Sequence, residues 1–294
     1  MLKLCHQVNT TLKLSLLSLF IFVPKVFAER IIQQNYEQSI WQVNSDPFYC
    51  ELTQTLDEYA QLSVTSKPSE PQALSLKWLL TDREITDVQV FTRRADWQRA
   101  DSKPPELTFF SSKIEQQQVF FYADIASLLR SIKQGFWLDA IVGFGDEQLQ
   151  LTFTNTFSDN VISQYQDCRR QLAPLSWQQA RDYEISFQTG ERIVKNETDL
   201  AFLEKLVRYI ALDEKVSKVM IDGHTDNVGS PLANRLLSKE RADDVAARLV
   251  EFGLPEKMIE VRAHGQRYPV ANNHSKVGQS SNRRVLVRLF RRSS

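Results

Sequence analysis

The sequence predicts an α+β chain of two units: a mostly-β region carrying one or two helices, then an α/β sandwich in which helices pack on a mixed sheet. Two observations carry this expectation. Up to about residue 172 the apolar residues recur mainly at every second position, the period of half-buried strands. After Pro174 the pattern alternates between short apolar strands and helices with apolar residues at i, i+3, i+4 and i+7. At 294 residues, with 42% hydrophobic and 24% charged residues, the chain is long enough for two cores and has the composition of a globular protein.

The chain opens with Lys3 and Lys13, an apolar run from Leu14 to Val23, then Pro24 and Lys25. A run of about ten residues has the length of a signal-peptide core and falls short of the roughly 20 needed to span a bilayer. Val26-Phe27-Ala28 places small residues where a signal peptidase reads, so residues 1–28 are expected to be a signal peptide removed on export. Cys5 precedes the apolar run, where a lipidated cysteine would follow it, so no lipid anchor is expected. The formal net charge is +0; removing Lys3, Lys13 and Lys25 leaves about −3, which argues against a nucleic-acid partner. Cleavage leaves Cys50 and Cys168. An even pair in an oxidising compartment suggests a disulfide, with two buried free thiols as the alternative.

Residues 29–172 are expected to form the first domain. Leu74, Leu76, Trp78 and Leu80 alternate strictly, as do Val88 and Val90, and Leu149, Leu151 and Phe153. Ile125, Leu128, Leu129 and Ile132 mark a helix that Asp124 can cap and Gly135 can end. A second helix, Val161 to Leu172, turns Ile162, Tyr165 and Cys168 to roughly one side. Residues 173–294 form the second. Tyr183, Ile185 and Phe187 alternate in a strand, and Leu200, Leu203, Val207 and Ile210 make an amphipathic helix. A strand Val219–Asp222, a helix Pro231–Phe252 with Ser230 as N-cap, a strand Ile259–Arg262 and a final strand Val285–Phe290 follow.

Chemistry concentrates in Val219–Ala242. The strand leads into Gly223-His224-Thr225-Asp226, and the next helix presents Asn234, Leu237, Ser238 and Arg241 on one face. A carboxylate and a planar guanidinium around one cleft suit a zwitterionic ligand. The plainer reading is an internal Asp226–Arg241 salt bridge. Asp222, His224 and Asp226 at i, i+2, i+4 could form a metal trio, but His264 and His274 are isolated and a fourth ligand is missing, so neither metal nor cofactor is expected. No G-x-S-x-G, H-E-x-x-H or Walker loop is present, and Gly143-Phe-Gly145 lacks a third glycine, so no enzyme is expected. Arg283, Arg284, Arg288, Arg291 and Arg292 form a charge run, expected mostly on the solvated face of the last strand, with Val285, Val287 and Leu289 inward.

The words Gly223-His224-Thr225-Asp226, Asn234-x-x-Leu237-Ser238-x-x-Arg241-Ala242 and Asn282-Arg283-Arg284-Val285 resemble the OmpA-like peptidoglycan-binding domain over about residues 180–290. That resemblance implies that Asp226 and Arg241 hold the diaminopimelate of a peptidoglycan stem peptide, with Asn234 and Arg283 lining the same groove. His264 departs from the pattern, standing where the family often has glycine or an aromatic residue. The first domain has neither the long paired strands of a membrane barrel nor a stator's transmembrane helix. Trp41-Gln42-Val43, Pro47-Phe48-Tyr49-Cys50-Glu51-Leu52, Ala73-Leu74-Ser75-Leu76, Trp97, Leu107-Thr108-Phe109-Phe110 and Asp167-Cys168 resemble, more loosely, the MotY family of sodium-driven flagellar motors. This implies a periplasmic T-ring protein. Its first domain would attach to the flagellar basal body beside a MotX-like protein, and its second would grip the wall so that stator units hold against torque. A general envelope tether without a flagellar role is the alternative.

Overall fold

The computed structural model describes residues 30–81, 83–103, 106–121, 124–156 and 158–292. The expected signal peptide lies outside the described residues. In the first part of the chain the strands are β1 (Arg30–Gln33), β2 (Gln42–Asp46), β3 (Tyr49–Leu56), β4 (Ala60–Ser66), β5 (Ala73–Trp78), β6 (Asp87–Arg93), β7 (Thr108–Glu115) and β8 (Gln118–Phe121). Helix α1 (Ile125–Lys133), strands β9 (Trp137–Phe144) and β10 (Glu147–Phe153) and helix α2 (Asp159–Gln171) complete it.

These strands join in one ten-stranded sheet, β1-β10-β9-β6-β7-β8-β5-β4-β3-β2. Every pairing is antiparallel except that of β1 with β10. The sheet folds over one core. Leu52, Leu62 and Leu76 come from one half, Val90, Ala140 and Leu151 from the other, and Leu128, Ile132, Ile162 and Tyr165 from the helices. A polar knot ties the two ends. Ser39 Oγ and Gln54 Nε2 both donate to the Thr154 carbonyl, at 2.6 and 2.8 Å. Burial makes such bonds expensive to leave unmade. On the outer face small hydroxyls replace apolar residues: Thr53, Ser63 and Ser75 sit opposite one another across β3, β4 and β5. They are buried beneath their neighbours, and Thr53 and Ser63 hydrogen-bond at 2.9 Å. The expected alternation in Leu74, Leu76 and Trp78 is thus real, with the intervening serine covered as well.

Helix α1 begins where expected: Asp124 accepts the Ser127 N–H at 3.1 Å, a side-chain N-cap. Helix α2 starts two residues earlier than its apolar pattern suggests. It buries Ile162 and Tyr165, and Cys168 is bonded to Cys50 of β3, with Cα atoms 6.0 Å apart. The free-thiol alternative is thereby set aside.

The rest of the chain forms α3 (Trp177–Ala180), β11 (Asp182–Ser186), α4 (Glu197–Leu212), β12 (Val216–His224), α5 (Pro231–Glu251), β13 (Ile259–Gly265), α6 (Lys276–Asn282) and β14 (Arg284–Arg291). The four-stranded sheet runs β11-β14-β12-β13, with β12 and β13 parallel and the other pairs antiparallel. Leu203, Val207 and Ile210 of α4 and Ala242, Val245 and Leu249 of α5 cover one face of it, against Ile185, Val219, Ile221 and Val287. Ser230 caps α5 through the Ala233 N–H at 3.2 Å, with Pro231 at the first helical position. The short helices α3 and α6 are additions to the sequence reading, since neither spans enough turns to show a period.

Candidate functional site

Strand β12 delivers the site. Its C-terminal end bulges between Gly223 and His224, and the chain then leaves the sheet through Thr225 and Asp226. The Thr225 N–H donates to the Gly265 carbonyl at 2.9 Å, which keeps this exit against β13. Helix α5 lies very close to it. A Cβ on Gly223 would sit 2.0 Å from the Ser238 carbonyl oxygen, so only glycine lets strand and helix approach this far. Ser238, on the helix face that the sequence singles out, does the tying: its hydroxyl accepts the Gly265 N–H at 2.9 Å and donates to the Arg235 carbonyl at 2.8 Å.

The four residues that the sequence nominates come together here, all buried: Asp226, Asn234, Arg241 and Arg283. Their pairing differs from the plain sequence reading. Asp226 accepts from Arg283 Nη1 at 2.9 Å and from the Val228 N–H at 3.1 Å. Arg283 is held in turn by its Nε, which donates to the Phe187 carbonyl at 3.0 Å. Asn234 donates to the Asp226 carbonyl at 3.3 Å and to Gln266 Oε1 at 2.9 Å.

Arg241 bonds only to backbone. Its Nε donates to the Glu191 carbonyl at 2.7 Å, Nη2 to Gln188 at 3.1 Å and Nη1 to His224 at 3.4 Å, while the guanidinium lies 5.0 Å from the Phe187 ring centroid. Among the described residues no carboxylate pairs with it directly. Burial, and then the nearby Arg283 cation, pulls its pKa down to about 10, so it stays charged near neutrality. A buried cation without an anion beside it is costly. Each terminal nitrogen keeps a second N–H, the donor set that a ligand carboxylate accepts in a fork.

Asp222 and His224, weighed in the sequence as members of a metal trio, are engaged by other side chains. Asp222 is taken up by arginine: Arg262 Nε at 2.6 Å and Nη2 at 2.9 Å, Arg288 Nη2 at 2.5 Å, and His264 Nε2 at 2.7 Å. Burial alone would raise its pKa, but these hydrogen bonds outweigh it and hold the carboxylate well below its usual range. Burial, with the Arg284 cation next, lowers His224 to about 4, so its imidazole is neutral at pH 7. His224 stacks on His264, ring centroids 4.8 Å apart, and its Nδ1 lies 3.4 Å from the Arg267 carbonyl. The arginines of the last strand are engaged as well. Arg291 binds Asp213 and stands over Trp177, Arg288 binds Asp222, and Arg284 is buried near Glu184. The expectation of a mostly solvated charged face is corrected at Arg283 and Arg284, which are buried, while Arg288 is half-buried and Arg291 and Arg292 are exposed.

Sequence reasoning missed Gln266, which orients Asn234, and the use of Phe187 as a floor under Arg241. Phe187 was legible only as the last apolar residue of a strand pattern. The carbonyls of Gln188 and Glu191 leave no side-chain signal at all.

Comparison with known proteins places this unit and its partner domain. Residues 186–283, which carry this sheet and the buried cluster, match the OmpA family. Residues 32–174 match the MotY N-terminal domain. The chain is therefore a MotY-like protein with a C-terminal OmpA-family domain. The sodium-type flagellar protein MotY of Vibrio parahaemolyticus is 23% identical over 147 residues, half of this chain and half of that one. The outer-membrane lipoprotein YfiB of Pseudomonas aeruginosa is 45% identical over 86 residues, 29% of this chain and 50% of that one. The chain spans about half the length of these curated relatives. Among solved structures, the peptidoglycan-associated lipoprotein from Burkholderia pseudomallei aligns at a TM-score of 0.35 and 24% identity, covering 36% of this chain and 89% of that one.

Proposed function

We propose that this protein is a periplasmic component of the sodium-driven flagellar motor, part of its T ring, that binds peptidoglycan and anchors stator units around the basal body. Residues 29–172 form the basal-body-binding domain, beside a MotX-like partner, and residues 173–294 the wall-binding domain. The observation that carries the wall-binding half is Arg241, a buried guanidinium that hydrogen-bonds only to carbonyls, within electrostatic reach of Asp226. A diaminopimelate end supplies what this groove lacks. Its carboxylate takes the free N–H donors of Arg241, and its ammonium takes the open lone pairs of Asp226. Arg283 already neutralises part of the Asp226 charge, so the pocket as a whole favours a ligand with more carboxylate than amine. Asn234 and Arg283 shape and charge the same groove.

The flagellar half is supported by the match of residues 32–174 to the MotY N-terminal domain. The second reading, a general envelope tether, is favoured by the 45% identity of the C-terminal part to an outer-membrane lipoprotein. A deletion strain separates them. Filaments that assemble but do not turn, with basal bodies lacking a ring in electron micrographs, support the motor. Normal swimming with a blebbing, detergent-sensitive envelope supports the tether.

A further inference from the structure

Trp97 lies in the loop between β6 and β7 and is 58% exposed, whereas Trp41, Trp78 and Trp137 are buried. The indole is nevertheless fixed. Its benzo edge rests on Gly135, just after α1, where an added Cβ would come within 2.9 Å of the ring. Gln98 bolts the loop down on both sides: its Oε1 accepts the Ala95 N–H at 3.1 Å and its Nε2 donates to the Gln134 carbonyl at 3.1 Å. A flat apolar face is thus held rigid in solvent, which packing of the domain itself does not require.

Trp97 lines a cavity of about 370 Å³, shared with Lys133, Gln134 and Gly135 at the end of α1 and with Ser158, Asp159 and Asn160 at the start of α2. The size is near the lower end of ligand clefts, about 300–1,000 Å³. Ser158 fixes the α2 wall against α1, donating to the Ile132 carbonyl at 2.7 Å. Asn160 Oδ1 accepts from Gln164 at 3.3 Å, which orients its amide and leaves N–H donors. The lining therefore combines one aromatic platform with a carboxylate acceptor, amide groups and an ammonium donor.

We propose that this cavity binds a pyranose ring of a glycan, stacked on Trp97. A pyranose has a face of C–H groups and an equator of hydroxyls, so it needs an aromatic plane with acceptors and donors around its edge. The groups around Trp97 supply both. A phosphate ligand is disfavoured by Asp159. A protein partner would be expected to surround an exposed tryptophan with further large apolar side chains, and no other residue lining the cavity carries one. The sugar chemistry stands on the cavity alone; taking the source as the wall's glycan strand rests on the wall-binding reading above.

The test uses the full mature chain and chitotetraose, a β-1,4-linked N-acetylglucosamine oligomer, with maltotetraose as comparison. Trp97 is the most exposed of the tryptophans named here, so its stacking should shift intrinsic fluorescence saturably. Chitotetraose is expected to bind in preference to maltotetraose. Trp97→Ala should weaken binding by roughly tenfold or more, and Trp97→Phe, which keeps an aromatic plane, should retain most of it. Asp226→Asn should leave the sugar titration unchanged while losing sacculus binding, so the two sites fail separately. Equal binding of both sugars would assign the site to another envelope polysaccharide and overturn the wall source. The absence of saturation with either sugar overturns the site, as does a folded Trp97→Ala protein that binds like the wild type. Loss of basal-body co-purification in Trp97→Ala without any sugar binding would make the indole a protein contact instead.

Discussion

Arg241 carries its charge inside the domain and spends it on three backbone carbonyls, and this sets what a substitution does. Lysine keeps the charge but loses the planar fork. Arg241→Lys is expected to weaken sacculus binding at least about tenfold and to lower stability by roughly 1–3 kcal/mol. Sedimentation with sacculi and thermal unfolding measure the two effects, and unchanged binding would remove Arg241 from the site. His224 sets a second residue-scale prediction. Its folded pKa, about 4, is below its ordinary value of 6.5, because burial penalises the imidazolium. The unfolded chain therefore binds the proton first, and stability is full above pH 6.5 and falls as the pH drops from 6.5 toward 4. The loss is up to roughly 3 kcal/mol. His224→Asn should flatten this slope in melts of the C-terminal domain at pH 7.5, 5.5 and 4.5. Asp222, whose pKa is depressed by its arginine and histidine bonds, contributes below that window, its share being lost as carboxylates protonate in stronger acid.

Two elements depend on single contacts. Helix α5 meets β12 at Gly223, so Gly223→Ala must push the Ser238 carbonyl away. A cost of about 2–3 kcal/mol is expected, read as a lowered midpoint in urea with sacculus affinity reduced in parallel. Helix α2 is fastened to β3 by the Cys50–Cys168 bond, which closes 118 residues of sequence. Cys50→Ser should cost up to roughly 4–5 kcal/mol in the chain-entropy account, seen as a lower melting temperature and a lower steady-state protein level. The elements were legible where they are long and periodic. Strand β5, helices α1 and α5 and the last strand follow from apolar spacing and caps. The pairing of distant strands was not legible, since β1 joins β10 across the whole domain and no local pattern encodes that contact. The groove was legible as residue types, and the partner of Asp226 was not. Asp226 and Arg241 lie close together in the chain, in neighbouring sequence words, but Arg283 enters from the end of α6 and takes the carboxylate. The arginines around Asp222 were misread for the same reason. Arg262 stands opposite Asp222 in the register of β12 and β13, a neighbourhood set by the sheet and invisible along the chain.

At the scale of the molecule the two halves touch at a seam near the disulfide. The Ala173 N–H donates to the Pro47 carbonyl at 2.8 Å, Ser69 Oγ to Gln179 at 2.6 Å, and Phe48 packs edge-on to Tyr209 with ring centroids 5.3 Å apart. A load applied to one half therefore reaches the other through packed side chains and hydrogen bonds, and the disulfide stiffens the first half beside that seam. In the proposed role, fluorescent fusions of residues 29–172 should still form foci at flagellar bases, while residues 173–294 should spread around the envelope. Foci formed by the second half alone would reverse that assignment. The central claim is that the groove built by Asp226, Asn234, Arg241 and Arg283 holds the cell wall. Co-sedimentation of residues 29–294 with purified sacculi, wild type against Asp226→Asn, tests it most directly, with thermal unfolding to confirm that both are folded. The wild type should pellet with the sacculi and the variant should remain in the supernatant; a folded Asp226→Asn protein that pellets as fully as the wild type would contradict it.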